Sequence, residues 1–561
     1  MKIIGIGFLS ESSVCLIENG KVKYAISQER LNRIKNWWGN PYKAINFVLK
    51  ETKNKIKDIN IFSTHGLSSL NKDVPNISHF KNKEKEILYS NLDKKKKKSQ
   101  IKHLHQRLRH EILANKRVFR NVNSIKKIYK KVEVYDHHEA HAASAYFSSG
   151  WNSCYTLTID GWGDNSSSKL YKSINGRLIE ISRSNTIDSL GYFYGSITRL
   201  LGFKPHRHEG KILGLAAFGN YKKAYSYISK MISYDKINKS FKGNFEKGIY
   251  LPKYNNPNLK LLKKKFNAKD IAAATQKRLE EVIIEFIRDN IPNNSKLALA
   301  GGVFANVKIN QKISELKNIK EIFVYPNMGD GGLSVGCALL TYYKKNKYVP
   351  KKIDNMYLGP KYSNSEIFNL LKKNKFKFIK ISKPEKFIAQ KLHEGAVVAC
   401  FQGRMEFGPR ALGNRSILVN ASNKSVNDWL NKKLKRTEFM PFAPITMKKY
   451  LKKMYKNLNS KIMAVKYMTA TAKCTMEAYK KSPAAVHVDS TARPQIISKR
   501  DNVKIYNILK EYFKISKIPN LINTSFNVHE EPIVCTPSDA LRAFKSSKLD
   551  YLYIEDYIVI K

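Results

Sequence analysis

The chain of 561 residues is long enough for roughly two to four globular domains, and with 42% hydrophobic residues it is too apolar to be disordered throughout. Its 102 Lys and Arg stand against 45 Asp and Glu, which gives a formal net charge of +57. No apolar run reaches the roughly 18 residues of a membrane-spanning helix, and no CxxC pair indicates a zinc ribbon or a redox dithiol.

The cysteines and the lysines indicate the surroundings of the protein. The six cysteines lie mostly inside apolar runs, which predicts buried thiols in a reducing cytoplasm. The lysines are spread over nearly every surface segment, and a codon bias toward A and T explains this distribution as well as a binding face does. We therefore expect no dedicated nucleic-acid partner, although the positive field will attract small anionic substrates.

Two similar groups of three apolar runs open two stretches of the chain. They are Ile3–Phe8, Ser13–Ile17 and Val22–Ser27, then Tyr155–Gly161, Lys169–Ile174 and Arg177–Ile181. In each group Asn-Gly, at residues 19–20 and 175–176, joins the last two runs, which is a strong hairpin signal. Three antiparallel strands that open each half are typical of the duplicated actin-like ATPase fold. Chance similarity between two hairpins is the alternative.

The segment Lys81–Lys131 separates these two groups. It contains the unbroken lysine run Lys94–Lys98, followed by many Arg and His residues. This composition predicts solvated helices joined by a charged loop, since such a run is usually a surface and not a site.

A candidate metal site lies around residues 137–160. His137 and His141 are four residues apart, so on a helix both imidazoles would share one face. The apolar run Tyr155–Ile159 predicts a buried strand that ends on Asp160 beside a glycine turn, where open α/β sheets bind ligands. Two imidazoles and a carboxylate suit Fe²⁺, Mn²⁺ or Zn²⁺. The alternative is a helix with satisfied histidines followed by an ordinary core strand.

Further helices and glycine turns follow in the next 190 residues. Helical spacing predicts helices over 189–203 and 272–291, whereas the lysine-rich residues 222–268 are weakly patterned and suggest an insertion or a mobile connection. Two strands each lead to glycines, first Gly301-Gly302 with Asn306 and then Gly329-Asp330-Gly331. Such turns can present backbone N–H groups to a phosphate, which predicts nucleotide binding here.

The character of the sequence changes near residues 344–352, where we expect a domain boundary. Beyond it, arginines stand among glycines and small residues beside apolar strands, namely Arg404, Arg410, Arg415 and Arg493. A guanidinium in this setting offers a planar fork suited to phosphate or carboxylate. The alternative is that these arginines satisfy loop carbonyls.

Several long motifs resemble one known family. In chain order they are HHEAHAASAY, IDGWGD, LGFKPHRHEGKILGLAAFG, LAGGVFAN, YPNMGDGG, FQGRMEFGPRALGNRSIL, PFAP, VDSTAR and NTSFN-HEEPIV. The chain is identified by them as a member of the O-carbamoyltransferase family of antibiotic and nodulation-factor biosynthesis. The motifs extend from near residue 1 to about residue 555.

The resemblance implies an α/β protein with two domains and an ordered reaction. Residues 1–347 would form the duplicated actin-like domain, and residues 348–561 a YrdC-like α/β domain. The latter would make carbamoyl adenylate from carbamoyl phosphate and ATP, with Mg²⁺ accompanying ATP. The former would pass the carbamoyl group to a hydroxyl of a sugar or sugar-containing small molecule. The oligomeric state is left open, with a homodimer as one alternative.

The resemblance also assigns residues to roles. The metal ligands are His137, His141, Asp160 and Asp330, with iron(II) as the metal. The groups assigned to adenylation are Arg410, Arg415, Lys435, Arg436, Arg493, Ser525 and Asn527. Nucleotide contacts are assigned to Lys211, Gly301, Gly302, Asn306, Gly329 and Gly331.

Two departures and two alternatives accompany this assignment. Ser10-Glu11 stands where the family has His-Asp, which suggests a different way of handling the acceptor, and the family's Lys-x-Arg corresponds here to Lys435-Arg436-Thr437. An actin-like small-molecule kinase or ATPase would explain the glycine turns but not the arginines of the C-terminal part. A basic nucleic-acid-binding protein would explain the charge alone.

Overall fold

The computed structural model describes residues 1–66, 77–247, 257–426, 442–528, 530–547 and 549–561. They form two compact units, one of residues 1–9, 16–21 and 57–352, the other of residues 10–15, 22–56 and 353–561. No helix among the described residues is long and apolar enough to cross a bilayer. The functional boundary predicted between residues 347 and 348 stays a prediction.

The first half of the N-terminal part is built on one five-stranded sheet. Its elements are β1 (Lys2–Gly7), β2 (Ser13–Glu18), β3 (Lys21–Ser27), α1 (Glu29–Asn32), α2 (Tyr42–Glu51), β4 (Ile61–His65), α3 (Ile77–Leu88), α4 (Lys94–Ile128), β5 (Val132–Tyr135) and α5 (His137–Ser149). The strand order is β3-β2-β1-β4-β5, with β1, β4 and β5 parallel. The turn between β2 and β3 is the predicted Asn-Gly, and both of its residues have positive φ.

The second half repeats this plan. Its elements are β6 (Ser153–Gly163), β7 (Ser166–Ile174), β8 (Arg177–Asn185), α6 (Leu190–Leu200), α7 (Glu209–Ala216), α8 (Tyr221–Ile228), β9 (Ile232–Asp235), β10 (Ser240–Gly243), α9 (Pro257–Lys265), α10 (Ala268–Asn290), β11 (Ser295–Ala300), α11 (Val307–Ser314), β12 (Ile319–Val324) and α12 (Leu333–Lys345). The sheet order is β12-β11-β6-β7-β8, and β6, β11 and β12 are parallel.

Each sheet therefore has a three-stranded antiparallel meander followed by two parallel strands on the side of its first strand. The same order, arising twice along the chain, confirms the predicted duplicated actin-like fold. Residues 222–247 and 257–268 form α8, the β9–β10 hairpin, α9 and the start of α10, so the described part of this weakly patterned segment is regular structure, while its prediction as an insertion or a mobile connection stays a prediction. Strands of four residues are too short to give a clear alternating pattern in the sequence.

The C-terminal part, predicted to be YrdC-like, is an α/β domain on one eight-stranded mixed sheet, which confirms the α/β class. Its elements are α13 (Asn364–Lys373), β13 (Phe378–Lys380), α14 (Pro384–His393), β14 (Val398–Phe401), β15 (Arg415–Val419), β16 (Ala443–Met447), α15 (Leu451–Met454), β17 (Tyr455–Lys456), α16 (Ile462–Lys466), β18 (Ala472–Cys474), α17 (Met476–Lys481), β19 (Thr491–Ala492), β20 (Gln495–Ile497), α18 (Val503–Ser516), β21 (Asn520–Ser525), α19 (Pro537–Ser546), β22 (Tyr551–Ile554) and β23 (Tyr557–Ile560).

Two apolar clusters pack against this sheet, whose order is β13-β23-β22-β14-β15-β21-β16-β20. One cluster contains side chains of α13 and α19, and the other contains side chains of α14 and α18. Successive residues of β14, such as Ala399 and Cys400, belong to different clusters, because neighbouring side chains of a strand point to opposite faces. All six cysteines are buried free thiols, as predicted.

Candidate metal centre and arginine-rich loop

Two imidazoles and two carboxylates converge at the carboxyl ends of β6 and β12. One ligand atom from each of His137, His141, Asp160 and Asp330 can be chosen so that all four lie within 4.8 Å of one another. Both histidine side chains are fully buried, and the side chains of Asp160 and Asp330 are 18% and 17% exposed. The site therefore lies where β6, β11 and β12 run parallel and end together, the usual position of ligands in open α/β sheets.

The helix α5 positions both imidazoles. His137 is its first residue, and the N-cap Asp136 accepts the N–H of Glu139 at 2.9 Å. The N–H of His137, which has no partner within the helix, donates to Asp164 Oδ2 at 2.8 Å. One turn later His141 Nε2 lies 3.0 Å from Asp160 Oδ2, so the predicted i, i+4 pair does share one face.

The distances within the cluster fit a bound cation. His137 Nε2 lies 3.6 Å from Asp160 Oδ2 and 3.6 Å from Asp330 Oδ1, which is too long for hydrogen bonds. Among the described residues, neither ring nitrogen of His137 has a hydrogen-bond partner. Neighbouring ligands about 2.0–2.2 Å from a tetrahedral or octahedral ion are roughly 2.8–3.6 Å apart. The residues present thus fit a divalent ion in donor type, spacing and burial.

Electrostatics also favour a cation at this point. Burial disfavours a charge on His137, but the nearby carboxylates of Asp160, Asp330 and Asp164 outweigh burial and raise its pKa to about 9. Burial would raise the pKa of Asp160, yet the two imidazoles hold it well below its usual value. The Asp160 carboxylate thus stays ionised and attracts positive charge, whether it comes from a proton or from a metal ion.

His138 shows that position on α5 decides the role of each histidine. Its Nδ1 lies 2.9 Å from Thr158 Oγ1 and its Nε2 lies 3.2 Å from the carbonyl of Ser166, so its ring faces strands instead of the carboxylates. Burial, followed by the charge of His137, lowers the pKa of His138 to about 3. His138 is therefore a neutral core residue.

Two close backbone approaches hold the centre together. A Cβ on Gly163 would overlap the ring of His137, so only glycine lets β6 pass over this imidazole. A Cβ on Gly336 in α12 would overlap the carbonyl of Ala140 in α5. Because α5 begins at His137 and α12 begins three residues after Asp330, this helix contact fixes the separation of their ligands.

The two predicted glycine turns meet at the same place. Gly301 donates its N–H to the carbonyl of Met328 at 2.7 Å, and a Cβ on Gly302 would lie 3.1 Å from Asp160 Oδ1. The turn with Gly329 and Gly331 directly flanks Asp330. The structure thus brings the glycine turns beside the residues of the candidate metal centre, while their contact with a nucleotide stays a prediction.

The other two residues assigned to the nucleotide have partners within the fold. Asn306 caps α11 by accepting the N–H of Ile309, and its Nδ2 donates to Gln276 Oε1 at 2.9 Å. Lys211 lies in α7, is buried, and places Nζ 5.8 Å from the centre of the Phe203 ring. Their assignment as nucleotide contacts stays a prediction.

Sequence reasoning missed His65, Asp164 and Asp136 as parts of this neighbourhood. His65 ends β4, accepts the N–H of Phe8 through Nε2 at 3.3 Å, and meets the His137 ring edge-on at 5.5 Å. Asp164 is more than twenty positions from the residue it contacts, and no local pattern reveals such a pair. Asp136 with Glu139 three residues later does match a helix-start signal that could have been used.

In the C-terminal unit, the loop of residues 407–414 is held tightly over the sheet. Glu406 Oε1 accepts three backbone N–H groups, those of Leu412, Asn414 and Arg415. The carbonyl of Leu412 accepts Gln495 Nε2 at 2.8 Å, and the carbonyl of Ala411 accepts Asn523 Nδ2 at 3.1 Å. Gln495 and Asn523 lie two residues from Arg493 and Ser525, so these hydrogen bonds bring the segments of Arg410, Arg493 and Ser525 together.

Arg415 has a structural role in this loop. It is fully buried, stacks over Phe401, and its terminal nitrogens donate to the carbonyls of Gln402, Asn414, Pro360 and Gly403. These four bonds occupy the four terminal N–H groups, so Arg415 cannot offer its fork to a phosphate without breaking them. The geometry supports the alternative in which this arginine satisfies loop carbonyls, and it argues against the catalytic assignment.

The remaining predicted residues are placed as follows. Arg410 and Arg493 are half-buried, and Ser525 donates to Asn527 Oδ1 at 2.6 Å. Asn527 in turn donates to the carbonyls of Val528 and Glu531. Lys435 and Arg436 lie outside the described residues.

Comparisons with known proteins cover almost the whole chain. A family model described as carbamoyltransferase N-terminus matches residues 2–339, and one described as carbamoyltransferase C-terminus matches residues 389–561. An uncharacterised protein of Methanocaldococcus jannaschii is 33% identical over 100% of this chain and 99% of its own length.

Two relatives carry more informative names. The nodulation protein NolNO of Sinorhizobium fredii is 27% identical over 99% of this chain and 79% of its own length. The 3'-hydroxymethylcephem-O-carbamoyltransferase of Streptomyces clavuligerus is 25% identical over 63% of this chain and 65% of its own length. Among solved structures, component A of the (R)-2-hydroxyglutaryl-CoA dehydratase of Acidaminococcus fermentans covers 61% of this chain and 98% of its own, at 16% identity and a TM-score of 0.36.

Proposed function

Because this chain belongs to the carbamoyltransferase family, we propose that it forms carbamoyl adenylate from carbamoyl phosphate and ATP and then carbamoylates a hydroxyl of a sugar or sugar-containing small molecule. The match of both family models on one chain supports two successive steps. The name of the Streptomyces relative supports oxygen as the acceptor atom. The observation that carries the transfer site is the cluster of His137, His141, Asp160 and Asp330.

A two-step route suits the chemistry of the carbamoyl group. Hydrolysis of carbamoyl phosphate gives carbamate and phosphate, and a carbamate oxygen then attacks the α-phosphorus of ATP while pyrophosphate leaves. The acceptor hydroxyl next attacks the carbamoyl carbon, the bond to AMP breaks, and the hydroxyl proton is lost. A carbamate carbonyl is a poor electrophile, and AMP provides the leaving group that it lacks.

The four residues of the N-terminal cluster would act mainly by holding a divalent cation and orienting the reactants around it. His137, His141, Asp160 and Asp330 would hold a divalent cation, which is iron(II) by resemblance, although the donors suit Mn²⁺ or Zn²⁺ equally. When bound, such an ion polarises a carbonyl or phosphoryl oxygen as a Lewis acid. Asp164 keeps His137 in place through the N–H of the helix start, and Gly163 leaves room for its ring.

The C-terminal residues would bind the charge that shifts during adenylation. Arg410 and Arg493 are the half-buried guanidinium groups of the 407–414 loop region, and Ser525 ends the neighbouring strand β21. Arginines pre-positioned around phosphoryl oxygens stabilise developing negative charge without reorganisation. Glu406 and Arg415 would act indirectly, because their hydrogen bonds fix the loop that carries Arg410.

The first test follows the products. With carbamoyl phosphate, ATP and Mg²⁺, we expect AMP and pyrophosphate, whereas a kinase of the actin-like fold would release ADP. Substitution Arg493→Ala should reduce AMP release by about a hundredfold or more, since an electrostatic donor in such a site contributes on that order. Preformed carbamoyl adenylate should restore transfer.

Arg500→Ala is the matched control, because Arg500 is an exposed arginine in the turn after β20. It should leave both steps at the wild-type rate. If carbamoyl adenylate does not rescue Arg493→Ala, then the two steps are not divided between the two sites as proposed.

A further inference from the structure

The helix α4 is a basic rod with one buried and one exposed face. Lys and Arg occupy thirteen of its 35 positions, and its one acidic residue, Glu111, is buried. The buried face repeats at helical spacing, through Gln100, Leu104, Arg107, Glu111, Asn115, Val118, Val122 and Ile125. The cations other than Arg107 therefore lie outside this buried face, on a helix about 52 Å long.

Four of these cations lie along one face of α4, and we call them the basic stripe. Lys95, Lys102, Arg109 and Lys116 follow one another at intervals of seven residues, and all four are exposed. A straight helix drifts only about 20° per heptad, so the four side chains stay on one face. The other cations of the chain are spread widely over its surface. The four cations of the basic stripe, in contrast, follow the axis of one helix.

The turn that precedes α4 adds exposed apolar side chains to the lysine run. Leu88 is 50% exposed and Tyr89 is 85% exposed, and both immediately precede the turn into Lys94–Lys98. Lys97 Nζ donates to the carbonyl of Leu88 at 2.7 Å, which ties the two sides of the turn together. We call Leu88, Tyr89 and Lys94–Lys98 the hairpin tip. It combines an aliphatic group, an aromatic ring with a polar end, and five lysines.

The hairpin of α3 and α4 is held firmly to its unit, so the tip is a fixed surface. Lys83 in α3, whose side chain is 3% exposed, lies 3.4 Å from Asp188 Oδ1. Arg107 and Glu111 in α4 pair at 2.8 Å, and Glu111 also accepts the hydroxyl of Thr186 at 2.6 Å. These contacts bury charge on the inner side while all cations of the stripe remain in solvent.

We propose that the hairpin tip and the basic stripe bind the surface of an anionic lipid bilayer. A plane of phosphate headgroups complements a row of cations along one helix face, and each lysine near such a surface contributes about a fivefold gain in affinity. Tyr89 and Leu88 supply the second, apolar contribution that peripheral attachment needs. An exposed leucine and tyrosine have no comparable use on duplex DNA, so the observations favour lipid over nucleic acid. The proposal does not depend on the reaction catalysed.

Sedimentation with lipid vesicles tests the proposal. The protein is mixed with vesicles of phosphatidylglycerol and phosphatidylcholine in equal amounts, or of phosphatidylcholine alone, at an ionic strength of about 0.15 M. We expect binding to the anionic vesicles only. Replacement of all five residues Lys94–Lys98 by Gln should weaken it by about tenfold or more.

The matched control removes the same charge elsewhere. Its five substitutions to Gln are at Lys372, Lys373, Lys375, Lys377 and Lys380, all of which are exposed. Since a diffuse field is screened beyond about 8 Å, this control should weaken binding by no more than about threefold. Equal losses in the two variants would overturn the proposal, because binding would then follow net charge alone.

A second variant isolates the apolar contribution. Substitution of Leu88 and Tyr89 by Ser leaves every lysine in place, and it should remove the part of vesicle binding that persists when salt is raised. Unchanged salt-resistant binding would overturn the role of the tip. Failure of the wild-type protein to bind anionic vesicles would overturn the whole proposal. So would a lysine variant that loses affinity for duplex DNA but keeps its affinity for vesicles.

Discussion

At the scale of single residues, the candidate metal centre combines two carboxylates with two imidazoles. The nearby carboxylates favour a proton on His137. On Nε2, which faces Asp160, this proton would occupy the position of a metal ion. Ligand nitrogens must be deprotonated to bind a metal, so the proton and the ion compete for one position. The pair Asp160 and Asp330 is therefore the part of the centre that selects positive charge.

The substitution His141→Ala should abolish carbamoyl transfer while carbamoyl adenylate formation persists. Among the described residues, the cluster that could hold a metal has one other imidazole, that of His137, which already occupies its own position beside Asp160 and Asp330. The affinity for the metal should fall by more than about a hundredfold, so the purified variant should contain less metal than the wild type.

His138→Gln is the control on the same helix, because His138 faces Thr158 and Ser166 instead of the carboxylates. It should keep the metal. Transfer at the wild-type rate by His141→Ala would contradict the assignment of the centre.

Part of this centre could be predicted from the sequence, namely the residues that a local pattern reveals. The pair His137 and His141 follows from helical periodicity, and Asp160 follows from the end of an apolar run. Asp330 was identified through the resemblance, since 170 residues separate it from Asp160. Asp164 and His65 depend on strands meeting in space, which no local pattern encodes.

At the scale of elements, the segment of residues 81–131 shows how composition can mislead. Two helices, α3 and α4, are present as expected, but they are more than a solvated surface. Their inner faces carry Lys83, Arg107 and Glu111 in buried ion pairs. Lys83 pairs with Asp188 and Glu111 with Thr186, about 105 and 75 residues later in the chain. The lysine-rich pattern of the segment alone therefore indicates only an exposed surface.

Asp188→Asn should destabilise the N-terminal unit by about 3–5 kcal/mol, because it leaves Lys83 charged and buried without its partner. Burial would raise the pKa of Asp188, but Lys83 and His79 outweigh burial and lower it. The folded pKa thus lies below the unfolded value of about 3.9. The stabilisation is complete above that value and is lost as the pH falls through the folded pKa.

Thermal unfolding of wild type and variant from neutral to acidic pH measures this difference, which should shrink below about pH 4. Asp289→Asn is the control, since its pair with Lys236 is exposed and contributes only about 0–1 kcal/mol. Equal effects of the two substitutions would contradict the structural role of Asp188.

At the scale of the whole molecule, the net charge of +57 acts as a field around two compact units. The described ion pairs cannot neutralise it, because Lys and Arg outnumber Asp and Glu by more than two to one. Salt screens this field with a Debye length of about 8 Å near 0.15 M. The field is therefore long-ranged only at low ionic strength.

Binding to duplex DNA should consequently be weak, independent of sequence and absent at moderate salt. Fluorescence anisotropy with labelled duplexes of unrelated sequence, across a salt series, measures it. Turnover in the same buffers should change only modestly, because arginines and backbone amides hold carbamoyl phosphate and ATP at short range in the proposed function. Affinity that survives physiological salt and then falls steeply with added salt would indicate a dedicated nucleic-acid site instead.

The contact of Gly336 with Ala140 has a consequence for the choice of metal. Two helix backbones that touch cannot move closer, and the backbone of β6 passes directly over the His137 ring at Gly163. We therefore expect the opening between His137, His141, Asp160 and Asp330 to vary little in size, so that ions are discriminated by ionic radius. Ca²⁺, which needs bonds of about 2.3–2.6 Å, should compete poorly with first-row transition ions of about 2.0–2.2 Å. The substitution Gly336→Ala should force α5 and α12 apart. In a metal-competition titration it should therefore reduce the preference for transition ions over Ca²⁺, because the contact between these two helices sets the spacing of the ligands.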